Sequence, residues 1–117
     1  AREPDQIGLM LLGDVDLELH QARTLLFAAS AEVDSAKVDS ASTAPAVVAQ
    51  RVRSAVSRSA ERVSQALGHA LGPGPLATDE DHSRRIADLA LYIRQDHAER
   101  DLARLGKAIL DMNAPPW

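Results

Sequence analysis

No cysteine occurs in the 117 residues. Disulfides, thiolate metal ligands and a cysteine nucleophile are thereby excluded. Aromatics are nearly as scarce, with one Phe, one Tyr and one Trp. Nothing resembles the interleaved stacking platform of a single-strand binder. Charge of either sign is not in large excess: the formal net charge is −4, which argues against general nucleic-acid affinity. No apolar run reaches the roughly 20 residues that a bilayer-spanning helix needs, and no signal peptide is expected. The expectation is a cytoplasmic protein with no membrane span and no nucleic-acid partner.

What is abundant is alanine, the best helix former. The length suits one domain with a modest core. Pro4 and Asp5 are able to start a helix. Behind them Leu12, Val15, Leu19, Ala22, Leu26, Ala29, Val33 and Ala36 recur at alternating spacings of three and four. That periodicity predicts one apolar stripe along a long helix over about 6–37. Gly8 and Gly13 weaken its first turns, each by about 1 kcal/mol relative to Ala.

The stretch 39–45 (Asp-Ser-Ala-Ser-Thr-Ala-Pro) reads as a linker, and Pro45 suits the first turn of a second helix over 45–68. That helix carries Val48, Val52, Val56, Val63 and Leu67, with Ala55, Ser59, Ala60 and Ala66 small enough for close helix approach. Its other side is basic, with Arg51, Arg53, Arg58 and Arg62. Gly68 and the run Gly72-Pro73-Gly74-Pro75 end it.

Thr78-Asp79-Glu80-Asp81 supplies an N-cap and first-turn carboxylates to a third helix over 79–94, with Ile86, Leu89, Ala90 and Ile93 on one face. The phase breaks near Gln95–His97. A fourth helix over 97–111 carries Leu102, Leu105 and Ile109, and 113–117 is a non-helical tail. Four helices with short connections point to an all-α, antiparallel four-helix up-and-down bundle.

At this point the order of features resembles the C-terminal helical domain of the acyl-CoA dehydrogenase family, over nearly the whole chain. Gln6 fits the glutamine near the start of that domain's first helix, and Glu32-Val33-Asp34-Ser35 its acidic turn. Leu71-Gly72-Pro73-Gly74 lies where the family has a Gly-Gly-x-Gly loop. The segment from His97 to Leu110 fits the final helix, best at Glu99, Lys107, Ile109 and Leu110. The resemblance implies a fragment or split subunit of an FAD-dependent oxidoreductase, acting on an acyl-CoA or related acyl thioester. The bundle would form one wall of the flavin and acyl cavity and much of the oligomer interface. Gly72, Gly74, His97 and Glu99 are the implied cofactor-binding residues. A homo-oligomer or a complementary flavin-domain chain is the implied partner, and the isolated chain would be inactive and hold no FAD.

Two departures stand out. The family's Tyr-Glu-Gly-Thr falls on Arg94-Gln95-Asp96-His97. The glutamate that abstracts a proton in many members is thus Gln95, whose amide has no useful basicity near neutral pH. Some relatives carry the base on the first helix of the domain, where Glu18 is the only glutamate well inside. The first loop glycine is Leu71, which weakens a close backbone approach to phosphate. The chain begins Ala1-Arg2-Glu3-Pro4 without methionine, as a processed or excised chain would.

Each group also has a plainer reading. The glycines end a helix. Asp96 caps the last helix and Glu99 sits in its first turn, against a reading in which His97 and Asp101, one turn apart, form an acid–base pair. Asp79, Asp81, His82, His20, His69 and His97 contain no paired Glu-x-x-His motif, so no metal site is expected. The arginines form a solvated or partner-facing side. Tyr92 is a core residue with its hydroxyl at the surface, and Trp117 a tail or packing plug. The alternative to the enzyme domain is a non-catalytic helical interaction module that dimerises through its helix faces.

Overall fold

A computed structural model describes residues 2–36 and 44–113. Most of the expected linker and tail, including Trp117, lies outside them. Five helices follow in order: α1 (Gln6–Ala36), α2 (Pro45–Leu71), α3 (Gly74–Thr78), α4 (Glu80–Ile93) and α5 (Ala98–Leu110). Among the described residues there is no strand, so the all-α class stands.

Local chemistry accounts for the boundaries. The Asp5 carboxylate accepts from the Gly8 N–H at 2.8 Å and caps α1. Pro45 occupies the first turn of α2, where a missing N–H costs nothing. That helix runs three residues beyond its expected end, to Leu71, and is capped by Gly72, whose φ is 67° and whose N–H reaches back to the Gly68 carbonyl. The glycine–proline run then makes one extra short helix, α3. Asp79 caps α4 by accepting from the His82 N–H at 3.0 Å.

The arrangement departs from a square bundle. Helices α1 and α2 form an antiparallel hairpin, and α4 and α5 both pack on α2. Contact of α1 with α4 or α5 is marginal at most. Helix α2 is therefore a hub with neighbours on several sides. The molecule measures 55 × 26 × 22 Å, its long axis set by α1, whose 31 residues span about 46 Å. Its radius of gyration is 18.0 Å, against about 13 Å for a compact chain of this length.

The core is correspondingly thin. Among the described residues its buried apolar members are Ala29, Val47, Val48, Ala66 and Ile93, each still 3 to 8% exposed. The inward stripe of α1 differs from the expected one. Leu11, Val15, Glu18, Ala22, Leu25, Ala29 and Val33 are covered, whereas Leu12, Leu19 and Leu26 are 64, 56 and 49% exposed. Both stripes contain Val15, Ala22, Ala29 and Val33, so periodicity fits either. Glu18 decides between them, because α2 offers it two partners. Tyr92, expected in the core, is 72% exposed, since α4 meets α2 chiefly through Ile93 and leaves its other sides open. The stripe of α5 falls as expected, with Leu102, Leu105 and Ile109 all half-buried.

Candidate functional site

Two clefts flank the α1–α2 hairpin, and each holds one of the residues singled out for catalysis. The first, about 590 Å³, lies where α4 meets the hairpin. Leu26 of α1, Val52, Val56 and Ala60 of α2, and Leu89, Tyr92 and Ile93 of α4 line it. Its polar end is the α4–α5 corner, with Arg53, Gln95 and Asp96, and Ser57 of α2 also lines it. The volume is that of a small-molecule site.

The corner is pinned to α2. Arg53 donates through Nε to Asp96 Oδ1 at 3.1 Å, and through Nη2 to the Gln95 carbonyl, also at 3.1 Å. Arg94 reaches back to Glu61 at 2.8 Å. Asp96 is thus taken by Arg53 and does not cap α5. Asp101 does that work, accepting from the His97 main-chain N–H at 3.2 Å and from Arg104 at 2.8 Å while only 2% exposed. The His97–Asp101 contact is therefore a helix cap made to the backbone. His97 itself is exposed, and Glu99 lies exposed in the first turn.

The second cleft, about 530 Å³, opens along the other side of the hairpin. Glu18 sits there, 6% exposed, with one carboxylate oxygen 2.8 Å from Arg62 Nη1 and the other 3.0 Å from the Ser59 hydroxyl. Gln21, Leu25, Ala55 and Arg58 are among its other walls. Glu18 and Gln95 do not share a cleft. A carboxylate with both oxygens engaged by its own chain is arranged to hold two helices in register rather than to receive a substrate proton.

Gly72 and Gly74 lie at the far end of α2. Gly72 stands 19 positions beyond Arg53, or about 28 Å along a straight helix. Within one chain the loop glycines and the pair His97 and Glu99 therefore do not form one site. The basic side of α2 is divided as well. Arg53 turns to the α4–α5 corner and Arg62 to α1, so the four arginines make no single patch. Among the described residues no three His, Asp or Glu side chains gather as a metal site would require.

Sequence reasoning paired Asp101 with the His97 side chain rather than with its main-chain N–H, and it missed Arg53, Arg62 and Ser59 as partners. Their contacts to other helices join residues 41 to 44 positions apart, which no local pattern reveals. Chemically, the first cleft can take an apolar chain and offer it an amide and a neutralised ion pair at one end. It presents no free base.

No protein-family model, no curated protein and no solved structure matches this chain.

Proposed function

We propose that this chain is a helical interface domain, whose work is to present the outer faces of α1 to another folded body. One observation carries this reading. Eight large apolar side chains of α1 (Ile7, Leu9, Met10, Leu12, Leu17, Leu19, Leu26 and Phe27) are between 49 and 66% exposed. Isolated apolar residues on a surface are ordinary, but so many on one helix mark an interaction surface.

The resemblance noted in the sequence supplies an identity for the assembled protein: an acyl-CoA dehydrogenase-like, FAD-dependent oxidoreductase, of which this would be the C-terminal bundle. In that assembly the apolar cleft beside Gln95 would be one wall of the acyl cavity. Gly72 and Gly74 would meet the flavin together with residues of another subunit, consistent with their distance from His97 and Glu99. This identity rests on the order of sequence features alone. The competing reading, a non-catalytic association module, draws on the same exposed helix and on the occupied state of Glu18.

Two measurements test the proposal. Sedimentation of the purified chain should show self-association at micromolar concentration, and a strict monomer at high concentration would overturn the interface reading. The mass and flavin content of the native species carrying these residues then separates the two identities. A several-fold heavier, flavin-bearing polypeptide supports the dehydrogenase domain. A flavin-free chain of about this mass supports the module.

A further inference from the structure

The exposed side of α1 has an internal symmetry. Leu12, Leu19 and Leu26 are seven residues apart, a spacing that drifts by only about 20° per step on an α-helix and keeps them on one side. They span about 21 Å. Beside them lie two exposed charges, Asp16 and Arg23, three residues before Leu19 and four after it. Among the described residues neither has an ion-pair partner within the chain. Arg23 instead lies over the Phe27 ring, 5.5 Å from its centroid, on the same side of the helix.

This pattern is self-complementary in one orientation only. Two copies of α1 laid antiparallel, with Leu19 near a two-fold axis, bring Leu12 of each beside Leu26 of the other. The same operation sets Asp16 of each copy beside Arg23 of the other, and Phe27 beside Leu12. A parallel pairing would carry the charged flanks of the two copies to opposite edges of the seam and leave Asp16 and Arg23 without reciprocal partners. An isologous two-fold contact has this reciprocity, in which residue i meets j and j meets i. Leu26 also lines the 590 Å³ cleft, so the leucine stripe and the cleft form one continuous apolar surface.

We propose that the partner of this surface is a second copy of the chain, docked antiparallel through the Leu12–Leu19–Leu26 stripe of α1 and registered by reciprocal Asp16–Arg23 pairs. The proposal rests on the interface-domain reading and gives it an occupant, an orientation and a register.

Because the chain has no cysteine, single cysteines report the geometry cleanly. Under mild oxidation Leu19→Cys should form a covalent dimer. Leu12→Cys and Leu26→Cys should cross-link when mixed and not separately. Leu17→Cys, about as exposed but off this stripe, should stay monomeric. Asp16→Arg and Arg23→Asp should each weaken the dimer roughly tenfold, since two pairs are lost per dimer, and the double exchange should restore it. Circular dichroism confirms that each variant remains helical. Cross-linking of Leu12→Cys alone, or of Leu17→Cys as readily as Leu19→Cys, overturns the proposal. So does a sedimenting dimer with no Leu19→Cys cross-link, although the interface-domain reading then survives. A strictly monomeric chain overturns both.

Discussion

Helices α1 and α2 are similar in length and are buried in opposite ways. α2 meets α1, α4 and α5, and the residues it buries are small or short: Val47, Val48, Ser54 and Ala66. α1 is rich in leucine, yet among its described side chains only Glu18 and Ala29 are buried. Burial here follows the number of neighbours, not the hydrophobicity of the side chain. A hub approached from several sides needs small residues so that other helices can come close. A helix with one neighbour covers one side, whatever the others carry. The leucine-rich α1 thus leaves most of its large apolar side chains outside, which is the arrangement of a surface made for a partner.

The strongest test of this contrast places a charge on the open side. Leu19→Lys should abolish self-association in sedimentation while changing the urea midpoint of the monomer little, by about 0.5 kcal/mol or less, as for a surface change. Ile93→Ala, on the side of α4 that meets the hub, should do the reverse. It should cost about 2–4 kcal/mol of unfolding free energy, as core truncations do, and leave association through α1 intact.

Next comes the polar contact that sets the α1 stripe. Arg62→Ala leaves the Glu18 carboxylate buried with Ser59 as its one remaining partner and should cost about 1–3 kcal/mol. Glu18→Leu removes the buried charge and adds apolar surface at the same place, and should be near neutral or stabilising. If Glu18→Leu proves the more damaging of the two in denaturant unfolding, the carboxylate has a role beyond register. A purely backbone effect belongs to the hub's end. Gly72→Ala forces a φ of 67° and a ψ of −168° on an L-residue, a region essentially kept for glycine, and should cost about 1–3 kcal/mol.

Much of the fold was legible in the sequence because it is local. The helical class follows from alanine content and spacing. The breaks follow from Pro45, from Gly72 with Pro73, and from the phase change near Gln95. The cap at Asp79 and the α5 stripe follow from the positions of single residues. The α1 stripe was not legible. Leucines at 11 and 12, and again at 25 and 26, satisfy two patterns equally, and the choice rests on partners about 41 positions away. Asp96 likewise looked like a cap because that role is local, whereas its engagement by Arg53 is not.

Of the candidate site, the sequence foretold that Gln95 stands at a helix break. It did not foretell that Gln95 borders an apolar cleft, or that Glu18 lies in a different one. Backbone propensity, capping and periodicity act within a few residues, so the sequence alone determined that the chain is helical and where its four long helices lie to within a few residues, but not the short α3. Which apolar residues are covered depended on the packing of helices far apart in the chain. Glu18 found Arg62 and Ser59 across the hairpin, so one face of α1 turned inward and the leucine stripe beside it was left outside.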